Sequence, residues 1–91
     1  MADRRRIDFA PGAKRQLAHL ALDVQRRVRS AIDRLEADPR PSGVVRLSGA
    51  SREPAWRIRV GDYRVIYEIH DDQLLVLVIR IGHRSEIYRL R

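Results

Sequence analysis

Apolar residues in the first part of the chain change from a two-residue spacing to a helical spacing. Ile7 and Phe9 fall on one side of an extended segment, which predicts a first strand over residues 4–9. Pro11 suits the first turn of a helix, and apolar residues then recur at helical spacing over residues 11–20. The apolar residues of this segment are Ala13, Leu17 and Leu20. A short amphipathic helix is therefore predicted after the first strand.

A second helix is predicted between Asp23 and Asp38. Aspartate is a residue type that caps helix N-termini, and Pro39 ends the helix because the residue before a proline disfavours helical geometry. One side of the segment is apolar, and the rest is charged. Its apolar residues are Val24, Val28, Ala31, Ile32 and Leu35. Because the connection between the two helices is short, they are expected to form a helical hairpin.

The second half of the chain follows a two-residue period. Trp56, Ile58 and Val60 alternate with arginines, which predicts a strand. Residues 63–69 and 74–81 are rich in β-branched and other apolar side chains, and they predict two further strands.

Turns and connectors complete the predicted topology. Gly61-Asp62 and Asp71-Asp72 are the predicted turns, and glycine at the first central position favours a type II′ hairpin. A turn-rich connector over residues 39–54 contains one short apolar piece, residues 44–47, which is a further candidate strand. The order β-α-α-β-β-β predicts a single α+β domain over residues 1–91. In it, the helical hairpin packs on one face of an antiparallel sheet.

The predicted hairpin gathers arginines on one face of that sheet. A two-residue turn places Arg59 opposite Arg64, and alternation sets Arg57 on the same face. Opposed like charges destabilise a sheet unless carboxylates or a bound anion offset them, and Glu68 and Asp62 are the local carboxylates. An ordinary solvated sheet face is the alternative interpretation, and a one-residue bulge in either strand would change the register.

The charge of the chain favours a polyanionic partner, an acidic protein partner, or both. Among its 91 residues 19 are Lys or Arg and 12 are Asp or Glu, which gives a net charge of +7. Every one of these cations except Lys14 is an arginine, and guanidinium groups remain charged and bind phosphate oxygens in pairs.

The composition also argues against several kinds of catalytic site. The chain has no cysteine, and its histidines, His19, His70 and His83, lack the spacing of a helical metal pair, so no metal site, cofactor or thiol nucleophile is expected. No apolar run is long enough to span a membrane, and no signal-like stretch follows the N-terminus. An intracellular, cytoplasmic protein is therefore expected.

Groups able to bind phosphate or move protons follow the last predicted strand. Gly82 is predicted to end that strand, which is apolar on both faces, and the segment 85–91 is expected to cover part of its second face. The cluster comprises His83, Arg84, Tyr88 and Arg89. RNA can be cut without a protein nucleophile when its own 2′-OH attacks the adjacent phosphate, provided that the enzyme supplies orientation, charge and proton transfer. A plain surface position for His83 and a packing role for Tyr88 are the alternatives.

Two segments resemble the RelE toxin family, and the similarity extends over nearly the whole chain. They are residues 56–67, WRIRVGDYRVIY, and residues 78–88, VIRIGHRSEIY. The resemblance implies a RelE-like fold and the toxin of a type II toxin–antitoxin system. It also implies a metal-independent endoribonuclease that enters the ribosomal A site, cleaves mRNA through 2′-OH attack and inhibits translation.

The resemblance assigns roles to the arginines of the strands. Arg57 and Arg59 match two basic positions that are commonly lysines in relatives. Because arginine is too basic to be an easy general base, they are expected to stabilise charge. Arg64 matches the arginine of the family's YR motif, a phosphate clamp. Arg80 and Arg89 are expected to bind RNA together with these three.

The resemblance also assigns roles to the C-terminal cluster. Arg84 matches an arginine that stabilises the leaving group or the charge of the transition state. Tyr88 matches a tyrosine that stacks on a base and positions it, with proton transfer as a further role. His83 is the second candidate for proton transfer.

Partners follow from the same resemblance. An acidic RelB-like antitoxin would wrap the toxin and carry the DNA-binding function, so that operator DNA is contacted only through the complex. The ribosome and mRNA would be the targets, and no membrane would be involved. Two alternatives remain open: a ParE-like toxin that acts on DNA gyrase without nuclease activity, and a non-enzymatic nucleic-acid-binding module.

Overall fold

The computed structural model describes residues 4–47 and 54–87, and within that part it confirms the α+β class. The strands are β1 (Arg6–Phe9), β2 (Val45–Leu47), β3 (Ala55–Val60), β4 (Tyr63–His70) and β5 (Leu75–His83). The helices are α1 (Pro11–Ala18) and α2 (Leu22–Asp33). Short 3-10 turns follow α2 at Arg34–Glu36 and β4 at Asp71–Gln73.

The strands form one sheet with the order β1-β5-β4-β3-β2. From β2 to β5 all neighbours are antiparallel, as predicted, and the short apolar piece is indeed a strand. β1 pairs with β5 in parallel, with Ile7 opposite Val76, so the predicted antiparallel pairing does not extend to this edge. The helical hairpin carries the chain from one edge of the sheet to the other, and the meander from β2 to β5 then returns it to the side of β1.

Both helices are shorter than predicted. α1 ends at Ala18, and α2 ends at Asp33, after which the chain tightens into a 3-10 turn. The predicted N-cap at Asp23 is wrong, because Ala21 holds that position with extended backbone (ψ 147°) and no side-chain cap bond. Asp23 lies instead in the first turn of α2, where a negative charge is favourable at the helix N-terminus. Neither helix is long and apolar enough to cross a membrane, and the same holds throughout the described segments.

The helical hairpin covers one face of the sheet, which we call the helix face. Apolar side chains of α1, α2 and the following 3-10 turn are buried there against β3, β4 and β5. The buried core residues are Ala13, Leu17, Val28, Ile32, Leu35, Ile58, Val65, Tyr67, Ile69, Val76, Val78 and Ile81. The opposite face, which we call the outer face, carries the alternate residues of the same strands.

Three side-chain hydrogen bonds connect β4 and the turn after it to distant parts of the chain. The hydroxyl of the fully buried Tyr67 donates a hydrogen bond to the carbonyl oxygen of Pro39 at 2.7 Å, and burial raises the pKa of Tyr67 far above its ordinary value. The carboxylate of Asp71 accepts hydrogen bonds from Arg5 at 2.6 Å and Arg40 at 3.0 Å, which lower its pKa. Arg5, from the segment before β1, and Arg40, from the loop after α2, thus both bind the turn that follows β4.

Candidate active site

The β3–β4 hairpin places three predicted site residues on the outer face. Arg59 lies directly opposite Arg64, which confirms the pairing predicted from the turn. Arg57 lies two residues before Arg59 on β3 and therefore shares its face. The strand register thus places these three arginines at neighbouring positions of one sheet face.

The turn at Gly61 and Asp62 sets this register. Gly61 has a φ of 58°, which a residue with a side chain adopts only at a cost, whereas Asp62 has no positive φ. This combination is what a type II′ turn requires and what a type I′ turn excludes. Gly61 therefore permits the two-residue turn that sets Arg59 opposite Arg64.

A bulge in β5 brings a fourth arginine to the outer face. Ile66 on β4 pairs with Arg80, but the next pair along the ladder uses Val78, so Ile79 is an extra residue on β5. Strict alternation from the buried Val78 would place Arg80 on the helix face, and the bulge reverses this. Because Ile66 also pairs with Arg57, Arg80 and Arg57 flank it from either side. We call Arg57, Arg59, Arg64 and Arg80 the arginine cluster.

Main-chain oxygens hold two of these guanidinium groups. Arg64 donates hydrogen bonds from Nη1 to the carbonyl oxygens of Gly61 at 3.1 Å and Tyr63 at 3.0 Å. Arg80 donates from Nη1 to the carbonyl oxygen of Ile87 at 3.5 Å. A guanidinium has several N–H donors, so both groups keep donors for an anion while losing little further freedom on binding it.

Within the predicted covering segment 85–91, the described residue Ile87 covers part of the outer face. Ile87 is fully buried and lies against Gly82, which is opposite Arg64 on this face. A Cβ atom at position 82 would lie 3.2 Å from Cδ1 of Ile87, so glycine permits this close approach. The prediction that Gly82 ends the last strand is wrong, because β5 continues to His83.

Arg84 lies at the turn of the β3–β4 hairpin. Its backbone N–H donates a hydrogen bond to the carbonyl oxygen of Asp62 at 2.8 Å, and its Nε lies 3.8 Å from the Asp62 carboxylate. Both side chains are largely exposed, so this ion pair contributes little to stability. Arg84 and the guanidinium of Arg64 therefore both contact the β3–β4 turn, at the same end of the sheet.

His83 lies on the other face of the sheet from the arginine cluster. It pairs with Tyr63, and the two rings meet edge to face with centroids 5.5 Å apart. Its Nδ1 accepts the backbone N–H of Ser85 at 3.1 Å, so the neutral ring carries its proton on Nε2. The hydroxyl of Ser85 lies 2.8 Å from the same nitrogen. In this arrangement neither nitrogen is a free proton acceptor, and the ring positions the segment that begins at Arg84.

The outer face also carries a carboxylate and a histidine that are hydrogen-bonded to each other. Nε2 of His70 donates to Oε1 of Glu68 at 2.9 Å, and the two side chains are only 16% and 19% exposed. From the sequence, Glu68 was predicted only as a local counter-charge, and His70 had no predicted role in the site. The signal that could have found the pair is alternation along β4, which places both residues on the same face as Arg64.

Two predicted site residues, Tyr88 and Arg89, lie outside the described residues, and their roles stay predictions. Within residues 4–47 and 54–87, no three His, Asp or Glu side chains come together as a metal ligand set.

A groove with a volume of about 750 Å³ lies between the end of α2 and the edge of the sheet at β2 and β3. Its lining combines apolar side chains with arginines and one carboxylate, Asp38, and it shares Arg57 and Arg59 with the arginine cluster. Its lining includes Arg34, Leu35, Val45, Arg57, Ile58 and Arg59. The groove offers both apolar surface and positive charge beside the candidate site.

Residues 7–88 match the model of a family described as the ParE toxin of the type II toxin–antitoxin system, parDE. The chain belongs to this toxin family. A curated relative of the toxin is Toxin RelG from Mycobacterium tuberculosis (strain ATCC 25618 / H37Rv), which is 45% identical over 31 residues. That match covers 34% of the toxin and 36% of the relative, so it spans about a third of the relative's length.

The toxin has the fold of RelE toxins, which confirms the resemblance seen in its sequence. A chain of the archaeal RelE–RelB complex from Pyrococcus horikoshii OT3 superposes with a TM-score of 0.78 at 27% identity, covering 90% of the toxin and 97% of that chain. The isolated E. coli RelE toxin superposes with a TM-score of 0.73 at 22% identity, covering 93% and 92%. The RelBE2 complex of Mycobacterium tuberculosis gives a TM-score of 0.73 at 24% identity, covering 93% and 95%. The last two similarities concern the fold alone.

Proposed function

We propose that this toxin is an endoribonuclease that cleaves mRNA in the ribosomal A site and so inhibits translation in the cytoplasm. The observation that carries the proposal is the arginine cluster, in which Arg59 and Arg64 are directly opposed on the outer face. Like charges in this arrangement destabilise the sheet, and a bound phosphodiester removes that cost. The face is thus better suited to a polyanion than to water.

The cluster suits attack by a ribose 2′-OH on the neighbouring phosphate. Arg57 and Arg80 flank a single position of the sheet and can stabilise the charge that develops on the phosphoryl oxygens. Arg64, fixed by its own turn, acts as a phosphate clamp. Arg84 stabilises the leaving 5′ oxygen, and Tyr88 stacks on a base.

The proposed products are one fragment with a 2′,3′-cyclic phosphate and another with a 5′-OH. His83 remains a candidate for proton transfer only if its Nδ1 is released from the N–H of Ser85, because that hydrogen bond occupies the lone pair of the nitrogen. With the bond in place, its proposed role is to position the C-terminal segment.

An acidic RelB-like antitoxin is the proposed protein partner. Complexes of RelE with RelB from Pyrococcus horikoshii OT3 and E. coli share this fold, and the groove beside the arginine cluster combines apolar side chains with arginines. An acidic amphipathic segment would match that surface and neutralise the cluster at the same time. In this proposal operator DNA is contacted only through the antitoxin.

A second candidate function is supported by the family model, which is described as ParE toxin rather than RelE. A ParE-like toxin would act on DNA gyrase without cutting RNA. Such an activity gives no role to four arginines on one sheet face, and this is why the nuclease is preferred.

Mapping of mRNA ends distinguishes the two functions. Purified toxin is added to a translation reaction, and cleavage sites are located by primer extension, with Arg59→Ala and Arg84→Ala as site variants and Arg26→Ala on α2 as a control. The nuclease predicts cuts within A-site codons that disappear in the site variants and persist in the control. Intact mRNA together with gyrase-dependent DNA breaks would establish the second function instead.

A further inference from the structure

We propose that Glu68 is the general base of this toxin, which accepts the proton of the attacking 2′-OH, and that His70 is its positioning residue. The inference rests on the proposed nuclease function and deepens it, because arginines stand where a proton acceptor is needed. A guanidinium holds its proton throughout the physiological range and cannot take another. The site therefore requires an acceptor of a different type.

The position of Glu68 on the outer face fits this requirement. It lies two residues after Ile66 on β4, and Ile66 is flanked by Arg57 and Arg80. Two residues along a strand correspond to about 6.7 Å, and diagonal neighbours on adjacent strands are about 7–8 Å apart, within reach of long side chains. A phosphate held between Arg57 and Arg80 therefore has its adjacent ribose within the range of the Glu68 carboxylate.

The outer face offers one alternative carboxylate within the described strands. Asp8 on β1 points the same way, but β5 separates it from Glu68, and Arg6 holds it at 3.3 Å. Asp62 and Glu86 lie on the turn and on the C-terminal segment rather than on the sheet. Among the carboxylates on the described strands, Glu68 is thus the one closest in register to the position between Arg57 and Arg80.

The pairing of Glu68 with His70 orients the carboxylate. One oxygen, Oε1, accepts the N–H of His70 at 2.9 Å, which leaves Oε2 as the oxygen for the substrate. Both side chains are more than four-fifths buried, and few polar side chains are so enclosed without a defined partner. Ala55 and Leu77, which lie opposite Glu68 on the neighbouring strands, are uncharged. Among the described strand residues of the outer face, its titratable and charged neighbours are His70, Arg57 and Arg80, with Arg6 and Asp8 beyond β5.

The proposed step balances without any further reactant from the protein. The 2′ oxygen forms a bond to phosphorus, its proton passes to Oε2 of Glu68, and the bond from phosphorus to the 5′ oxygen breaks with its electron pair on that oxygen. Arg84 stabilises this oxygen until it takes a proton from solvent water, and Glu68 returns its proton to solvent. The net change is conversion of a phosphodiester into a cyclic phosphate and a 5′-OH.

Glu68→Gln tests the assignment with minimal structural change. The amide oxygen of glutamine can still accept the N–H of His70, but it cannot accept the 2′ proton. On programmed ribosomes with saturating toxin, we expect the single-turnover cleavage rate to fall by about 10²–10⁴-fold, a typical loss for a general base. The toxin concentration that gives half-maximal rate should stay within about twofold, and Asp8→Asn should cleave at the wild-type rate.

Chemical rescue separates catalysis from packing. In Glu68→Ala, added formate should restore part of the cleavage rate, because a small carboxylate can enter the space of the missing side chain and accept the proton. His70→Gln, which keeps an N–H donor, should retain more activity than His70→Phe. A positioning role for His70 predicts this order.

The outcomes distinguish the two levels of the proposal. Cleavage by Glu68→Gln at the wild-type rate overturns the assignment and leaves the nuclease function standing. A loss confined to affinity or to folding, without rescue by formate, also overturns it. If wild-type toxin cuts no RNA on ribosomes, the assignment falls together with the proposed function.

Discussion

Repulsion between Arg59 and Arg64, which lie directly opposite each other, lowers the stability of the free toxin. The two side chains share a face on adjacent strands, and Arg64 relieves part of the repulsion by turning its guanidinium toward the carbonyl oxygens of Gly61 and Tyr63. Arg59 is exposed and directed to the same surface. The proposed function therefore favours two arginines at these positions, whereas stability favours replacing one of them.

Replacing Arg59 should change stability and RNA cleavage in opposite directions. In Arg59→Gln we expect the free energy of unfolding to rise by about 0.2–1 kcal/mol, because the cross-strand repulsion is removed, while RNA cleavage falls at least tenfold. Urea unfolding at low salt measures the first effect, and the stability gain should shrink in high salt. Arg26→Gln on the exposed side of α2 is the control. A loss of stability on removal of Arg59 would contradict this account.

Tyr67 makes a pH-dependent contribution to stability. Burial raises its pKa above the ordinary value of 10. The folded toxin therefore keeps the phenol proton at a pH where the unfolded chain has lost it. Its contribution is fully present below pH 10 and declines as the pH rises above that value.

Tyr67→Phe tests this directly. The variant leaves the carbonyl of Pro39 without its donor, and we expect a loss of about 1–2 kcal/mol at neutral pH. The difference from wild type should narrow above pH 10, which urea unfolding across pH 7–11 measures. A constant difference over that range would show that the phenol does not titrate on unfolding.

At the residue level the sequence predicted those positions that depend on one local rule. The register of Arg59 and Arg64 follows from a two-residue turn, and the structure confirms it. The face of His83 could not be predicted, because Ile79 inserts a bulge earlier in the same strand and reverses the alternation after it. A bulge depends on tertiary fit and leaves little trace in a hydrophobic pattern.

At the level of elements, the connection between β4 and β5 contains the one non-glycine residue with a positive φ in the described chain. After the 3-10 turn Asp71–Gln73, Leu74 adopts a left-handed conformation with φ 48° and ψ 50° while remaining 40% exposed. Leucine adopts this region at a cost of about 1–2 kcal/mol. The sequence predicted a turn at Asp71-Asp72, but it gave no sign that Leu74 would complete it.

Leu74→Gly should therefore be tolerated. We expect the free energy of unfolding to change by less than about 0.5 kcal/mol, because relief of backbone strain offsets the lost side-chain contacts. Leu75→Ala is the matched comparison, since Leu75 is only 8% exposed and should cost about 2–5 kcal/mol. Equal losses in the two variants would show that the backbone at Leu74 is not strained. Thermal or urea unfolding provides the measurement.

Prediction of elements succeeded where periodicity is strong and failed at their ends. The strand around Ile58 follows from alternation of apolar residues, and the strand around Val65 follows from its β-branched and aromatic composition. The start of α2 was misplaced because aspartate is favourable both at the cap and in the first turn of a helix, and the structure has Asp23 in the first turn. The parallel pairing of β1 with β5 depends on where the helical hairpin carries the chain, which no local pattern encodes.

At the scale of the whole molecule, the apolar core lies on the helix face of the sheet, and the candidate site lies on the outer face. The helices cover one side of the sheet with the apolar core, while the other side carries the arginine cluster, the pair of Glu68 and His70, and the buried Ile87. The net charge of +7 attracts a polyanion over a long range, whereas the outer face determines where its phosphate lies. The roles of Tyr88 and Arg89 depend on the resemblance to RelE.

The central claim is that the outer face cleaves RNA by directing a ribose 2′-OH at the adjacent phosphate. The most direct test places a single 2′-deoxy nucleotide at the scissile position of an otherwise unmodified mRNA on programmed ribosomes. If the 2′-OH is the nucleophile, wild-type toxin should not cleave at that position, and it should cleave the matched all-ribose mRNA normally to a 2′,3′-cyclic phosphate. Cleavage of the 2′-deoxy mRNA at the same site and rate would contradict the account, because the nucleophile would then have to come from elsewhere.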